Sequence, residues 1–177
     1  MKYGSFETTL ELEVRIAQHF NFVQNIIVPN VNWGLFHHEC DLTILTKSGY
    51  AYEIEIKVSK ADLLKDKKKH HQHRDRKIKY LYFAIPAKLE KYSSEIPLHA
   101  GILVVDKEGH VHEARKPIAN MPLYVFTPAE FFQLARLGTM RVWGLKEKLL
   151  KRQLYELLRS GLPEFAKPKL KHLEYQI

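Results

Sequence analysis

Two carboxylates and an ammonium define the chemistry this chain can attempt. Asp41 opens the segment DLTILTKSGYAYEIEIK, and Glu55-Ile56-Lys57 closes it. The pattern predicts two strands, Asp41–Thr46 and Tyr50–Val58, joined by Lys47-Ser48-Gly49. A three-residue loop with Gly last suits a hairpin whose final loop residue is left-handed. Thr46 then pairs with Tyr50, so opposed residue numbers sum to 96. Thr43 falls opposite Glu53, and Asp41 opposite Glu55. Opposed Cβ atoms lie about 4.5–5.5 Å apart, so two carboxylates and Lys57 meet on one patch. Like charges that close call for a cation between them. In the second strand Glu53, Glu55 and Lys57 share one face, and Ile54, Ile56 and Val58 the other. The same alternation suits an exposed ribbon with a Glu53/Glu55/Lys57 salt-bridging face, and surface pairs of that kind contribute little.

Hard oxygen ligands are what Mg²⁺ or Mn²⁺ selects. Asp41, Glu55 and the main-chain carbonyl of Ile56 supply three of them, with waters for the rest. An ion held there would polarise a phosphoryl oxygen and lower the pKa of a bound water. Lys57 is placed to orient or deprotonate that water, or to stabilise charge on the phosphorane. The chemistry that fits is hydrolysis of a phosphodiester.

The elements around the hairpin must position these groups. Ser5 to about Phe20 reads as an amphipathic helix, with Thr8 and Glu11, or Ser5 one turn earlier, able to cap its start. At about 100° per residue, Leu12, Ile16, Phe20, Phe6, Ala17, Leu10 and Val14 form an apolar arc, and Glu13 lies inside it. A carboxylate on a core-facing stripe needs a partner. Glu13 is therefore either an edge residue reaching water or a salt bridge, or a third acid aimed at the Asp41/Glu55 patch, in a second metal shell or site. Phe22–Pro29 predicts an extended segment, followed by a loop over residues 30–39. His37 and His38 read as loop histidines, having no Cys or His at ligand spacing. Glu39 shares the face of Asp41 and is a weaker acidic candidate.

After the hairpin, Ser59 and Asp62 resemble a capping pair that opens a helix over Lys60–His73. Leu63 and Leu64 mark its packed face. Residues 57–79 carry ten Lys/Arg against Asp62, Asp66 and Asp75, a net +7. Such a block favours a polyanion, most often nucleic acid, although a solvated helix face would also be charged. Lys60, Lys67, Lys68, Lys69, His71 and Arg74 are the backbone-contact candidates. His70, His71 and His73 lie among too many cations to favour a divalent ion.

Further on, Tyr80–Ile85, Ala100–Val105 and His110–Arg115 predict strands, with a short helix or loop over Leu89–Pro97. Thr127 and Pro128 cap a helix of about Ala129–Leu137. Gly138 is its expected stop, and a second, basic helix is expected over Arg141–Ser160. A strand hairpin followed by a crossover helix and further strands implies an α/β fold, a mixed central sheet flanked by helices.

The chain's 177 residues suit one domain, with 128–177 as a helical C-terminal extension. Its 45% hydrophobic content is that of a folded globular protein. One cysteine, Cys40, excludes an intramolecular disulfide and fits a reducing compartment. No signal-like or membrane-spanning run is visible, so a cytoplasmic protein without a membrane partner is expected. The net charge of +8 agrees with an anionic polymer as partner.

The constellation Glu13 … Asp41 … Glu55-Ile56-Lys57, with a helix before the hairpin and helix–strand after it, resembles the PD-(D/E)xK nuclease superfamily. The runs EIKVSKADLLKDKKKH, KYLYFAIP and HAGILVVDKEG look most like the MmcB-like DNA repair proteins. The likeness covers roughly residues 5–115, and Cys40 stands where the superfamily pattern often has Pro. It implies a restriction-endonuclease-like αβββαβ core with extra C-terminal helices. It also implies a Mg²⁺- or Mn²⁺-dependent (deoxyribo)nuclease, with Asp41, Glu55, Lys57 and Glu13 catalytic and Asp41, Glu55 and Ile56 on the metal. DNA is the expected partner, with RNA and homodimer formation left open. A catalytically inactive nucleic-acid-binding protein of the same fold is the alternative, and a module that docks an acidic protein on the basic helix is a third.

Overall fold

Capping chemistry fixes where the first helix begins. The Thr8 hydroxyl accepts from the Glu11 N–H at 3.2 Å, and the Glu11 carboxylate accepts from the Thr8 N–H at 2.9 Å. Two main-chain donors that a helix start would leave bare are thereby satisfied. The computed structural model describes residues 8–32, 34–66 and 75–161. Its elements are α1 (Thr9–His19), β1 (Ile26–Val31), β2 (Cys40–Leu45), β3 (Ala51–Ile56), α2 (Lys60–Asp66), β4 (Ile78–Pro86), a 3₁₀ helix (Ala87–Glu95), β5 (Gly101–Val105), β6 (Val111–Arg115) and α3 (Pro128–Gly161).

The six strands form one mixed sheet in sequential order. The pairs β1/β2, β2/β3 and β5/β6 are antiparallel, whereas β3/β4 and β4/β5 are parallel. Parallel neighbours require a crossover, and the segments holding α2 and the 3₁₀ helix provide them. Alternation along the strands feeds two faces. Leu42, Ile44, Ile54, Ile56, Tyr82, Ala84, Leu103 and Val105 pack with Leu12 and Ile16 of α1. Each of those two helix residues, fully buried, stabilises by roughly 1.5–3 kcal/mol.

The other face carries two clusters. Leu81, Phe83, Ile85, Ile102 and Val104 pack with Leu63 of α2 and with Leu89 and Ile96. Val28, Val31, Cys40, Leu45, Ala51 and Ile78 pack with Leu35, Phe36, Phe126, Leu134 and Leu137. Glu53 and Glu55, paired in register with Leu81 and Phe83, form a polar seam on this face.

Gly138 does not end a helix. α3 runs through it as one element, because the glycine marks a close approach. A Cβ there would sit 3.2 Å from Val28 Cγ2, so the missing side chain lets the helix lie against β1. The chain divides into two compact units, residues 1–138 and 139–177. Residues 128–138, expected as part of the C-terminal extension, thus belong with the sheet, where Leu134 and Leu137 are core. Within 139–161, Trp143, Leu145, Leu149, Leu150, Leu154, Leu157 and Leu158 are exposed. Among the described residues, no helix is long and apolar enough to cross a membrane.

Candidate active site

The register of the β2/β3 ribbon is set at its loop. Gly49 has φ +81°, its N–H donates to Thr46 O at 2.9 Å, and Thr46 N–H donates to Tyr50 O at 3.0 Å. The pairs Leu42/Ile54, Thr43/Glu53, Ile44/Tyr52 and Leu45/Ala51 follow. All four obey the expected sum of 96. A slip of one residue would move every side chain to the other face.

Beyond Leu42/Ile54 the ladder gives way to side-chain contacts. Asp41 Oδ2 accepts the Ile56 N–H at 2.8 Å, so this carboxylate closes the strand end as well as carrying charge. Asn30 falls opposite Asp41 in the β1/β2 register, between Pro29/Leu42 and Val31/Cys40. Its φ of +52° kinks the backbone there. The regular alternation ends at the same place: Cys40 joins the α3-side cluster, not the α1 face that holds Leu42 and Ile44.

On β3 the parallel ladder continues one residue past the strand, with Lys57 N–H donating to Ala84 O at 3.0 Å. The Lys57 ammonium lies 2.7 Å from Glu55 Oε2 and 3.8 Å from Asp41 Oδ2. It is also 6.0 Å from the Phe83 ring centroid. The cation that the opposed carboxylates require is therefore supplied by the chain itself. Glu53, Glu55 and Lys57 are 0%, 1% and 4% exposed. The exposed-ribbon reading of this face fails, because residues distant in sequence cover it. Taking two or three charges out of water is costly unless they are paired, and the Asp41 side chain, still about a third exposed, marks the open end of the site.

Glu13 is partly buried on α1. Burial, and secondarily the charge of Asp41, raise its carboxyl above the usual carboxylate range. Like-charge repulsion falls off with distance, so the Asp41 charge reaches Glu13 on α1. Ile56 packs its side chain on the α1 face. Asp41 and Glu55 thus bring hard oxygens together at one strand end, a donor set suited to Mg²⁺ or Mn²⁺.

Of the expected nucleic-acid contacts, one lies within the described residues. Lys60 is exposed, with its Nζ 4.6 Å from the Tyr92 ring centroid. It leans on the 3₁₀ helix, as a cation–π partner. Lys67, Lys68, Lys69, His71 and Arg74 lie outside the described residues.

Three groups were not legible as site residues. His38, expected in an open loop, is buried, with Nε2 2.7 Å from Glu53 Oε1. Asp75, which counted only as an acid in a basic run, is buried and accepts the main-chain N–H groups of His37 and Lys77, both at 2.9 Å. The Cys40 thiol is fully buried. Burial first, then the charges of Glu53 and Glu55, push it up and keep it protonated. The one local signal was the spacing of His38 and Cys40, which a kinked strand start can bring to one side.

No protein-family model matches this sequence, and no curated protein matches it either. Among solved structures the chain is similar to SPO1766, a protein of unknown function from Silicibacter pomeroyi. The TM-score is 0.55 at 17% identity, covering 86% of this chain and 93% of that one. At that identity the likeness concerns the fold alone: an α/β architecture with a six-stranded mixed sheet and helices, including a C-terminal one.

Proposed function

We propose that this protein is a metal-dependent nuclease that hydrolyses phosphodiester bonds in DNA, in repair, recombination or restriction-like processing. The observation that carries the reading is the strand end where Asp41 and Glu55 converge on the Lys57 ammonium. The element order α1, β1–β3, α2, β4 supports a restriction-endonuclease-like αβββαβ core, as the resemblance of the Glu13, Asp41 and Glu55-Ile56-Lys57 pattern implies. The basic character of the chain, net +8, supports a polyanionic substrate held with salt-dependent affinity.

Asp41, Glu55 and the Ile56 carbonyl would hold Mg²⁺ or Mn²⁺, which when bound supplies a Lewis acid for the phosphoryl oxygen and an acidified water. The chain's own groups do the rest. Lys57 Nζ, within reach of both carboxylates, donates to the attacking water or to the developing phosphorane oxygens. Glu13, whose carboxyl pKa is raised by burial and the Asp41 charge, would complete the metal's second shell or a second metal site. Burial of Glu55 and Lys57 keeps the donors in place and strengthens their fields.

The test is Mg²⁺- or Mn²⁺-dependent cleavage of DNA by purified protein and by Glu55→Gln. Metal-dependent cleavage that Glu55→Gln abolishes supports the reading. Cleavage by folded Glu55→Gln at the parental rate removes this site assignment. Salt-sensitive DNA binding without metal-dependent turnover selects the non-catalytic alternative.

A further inference from the structure

Behind the open end of the ribbon lies a second group of ligating side chains that the nuclease reading does not use. The nearest donor atoms of His38, Cys40 and Glu53, an imidazole nitrogen, a sulfur and a carboxylate oxygen, all lie within 4.8 Å of one another. His38 is 9% exposed, and Cys40 and Glu53 are fully buried. Three segments contribute: the loop before β2, the first residue of β2, and the centre of β3.

We propose that His38, Cys40 and Glu53 form a binding site for a borderline transition ion of the Zn²⁺ class, distinct from the Asp41/Glu55 oxygen site. The ligand types decide the class. Thiolate and imidazole favour Zn²⁺ over Mg²⁺ or Ca²⁺, and a carboxylate completes mixed zinc sites. At bond lengths of about 2.0–2.3 Å, tetrahedral ligands stand roughly 3.3–3.7 Å apart. The 4.8 Å limit therefore needs only a modest contraction, and the 2.7 Å His38–Glu53 contact needs to open by under about 1 Å.

The surroundings favour a cation. Glu53 is wholly buried beside His38, and a divalent ion there would offset its charge. On binding, the Cys40 thiol releases its proton to solvent and His38 offers the lone pair of its ligating nitrogen. Glu53 exchanges one hydrogen bond for a metal bond. The second His/Asp/Glu group of the described residues, Asp106, Glu108 and His110, differs on each point. It is on the surface, and Asp106 Oδ1 already accepts the Glu108 and His110 N–H groups within one turn.

The inference stands independently of the nuclease reading, and sulfur makes it separable. Full-length protein is titrated with Co²⁺ and its absorption recorded, then Zn²⁺ is added. The expected result is a thiolate-to-Co²⁺ charge-transfer band that saturates at one ion per chain and is bleached by Zn²⁺. Cys40→Ser removes the band and weakens Zn²⁺ binding by about 100-fold or more, at or beyond what loss of an outer-shell partner costs. Asp41→Asn leaves both unchanged. Should Cys40→Ser fail to fold, Glu53→Gln tests the same site by a comparable loss of Zn²⁺ affinity. Parental protein that shows no thiolate band at saturating Co²⁺ overturns the proposal. So does a band that survives both Cys40→Ser and Glu53→Gln.

Discussion

Glu13 and Glu130 are both partly buried carboxylates on helices of the same unit, and the fold treats them in opposite ways. Glu130 accepts from the Thr127 N–H and hydroxyl and from Tyr124, each at 2.9 Å, and pairs with Lys77 at 2.8 Å. Burial raises its pKa, but those donors outweigh burial and pull it down to about 2. Glu13 has burial and the neighbouring Asp41 charge pushing it up. One carboxylate is consumed by the capping of α3. The other sits in like-charge company and keeps capacity for a proton or an external cation. That difference separates a structural acid from a candidate functional one more cleanly than residue type or burial.

The largest effect that would break the comparison is catalytic. Asp41→Asn and Glu55→Gln are each expected to lower metal-dependent DNA cleavage by about 10³-fold, the scale of removing a key electrostatic group. Glu130→Gln should leave the initial rate within about twofold, since nothing at the strand end touches it. A Glu130→Gln loss as large as that of Glu55→Gln would erase the distinction.

Stability should rank the same groups differently. Lys57→Ala strands the buried Glu55 charge and should cost about 3–5 kcal/mol in urea unfolding. Glu130→Gln loses charge-assisted bonds and should cost about 1.5–3 kcal/mol. Glu13→Gln should be neutral or slightly stabilising, because it removes a charge the folded state disfavours. A clear destabilisation by Glu13→Gln would mean that this carboxylate has a favourable partner and is structural after all.

The smallest effect is a pH slope, and its sign differs between the two acids. Glu13 binds its proton more tightly folded than unfolded. Its contribution is complete below the ordinary value of 4.5 and is lost as pH rises through the raised folded value. Glu130 does the reverse: its contribution is present above 4.5 and is lost as pH falls toward about 2. Thermal melts across this range should show Glu130→Gln flattening the acid limb and Glu13→Gln flattening the decline above 4.5. Identical slopes in the two variants would contradict the comparison.

What could be read from the chain was local. Thr8 with Glu11, and Thr127 with Pro128, announced helix starts through side chains a turn away. Lys47-Ser48-Gly49 announced the register, because a three-residue loop leaves few pairings and Gly49 supplies the left-handed backbone. Burial of the Glu53/Glu55/Lys57 face could not be read, since the groups that meet it, His38 and Phe83, come from other segments. The His38–Glu53 pair was hidden for the same reason. Gly138 misled because a glycine that ends a helix and one that admits a neighbour look alike in sequence.

The glycine that sets the register has one more consequence. Gly49 O accepts the Phe126 N–H at 2.9 Å, and a Cβ on Gly49 would lie 2.7 Å from Val125 Cγ1. The segment that grips this loop follows all six strands in the sequence. A hairpin closed in the wrong frame would present a different loop surface to residues 125 and 126 and fail to dock. The 125–126 segment thus ties the register of the ribbon to its far end, and substitutions at Val125 should disturb the carboxylates there.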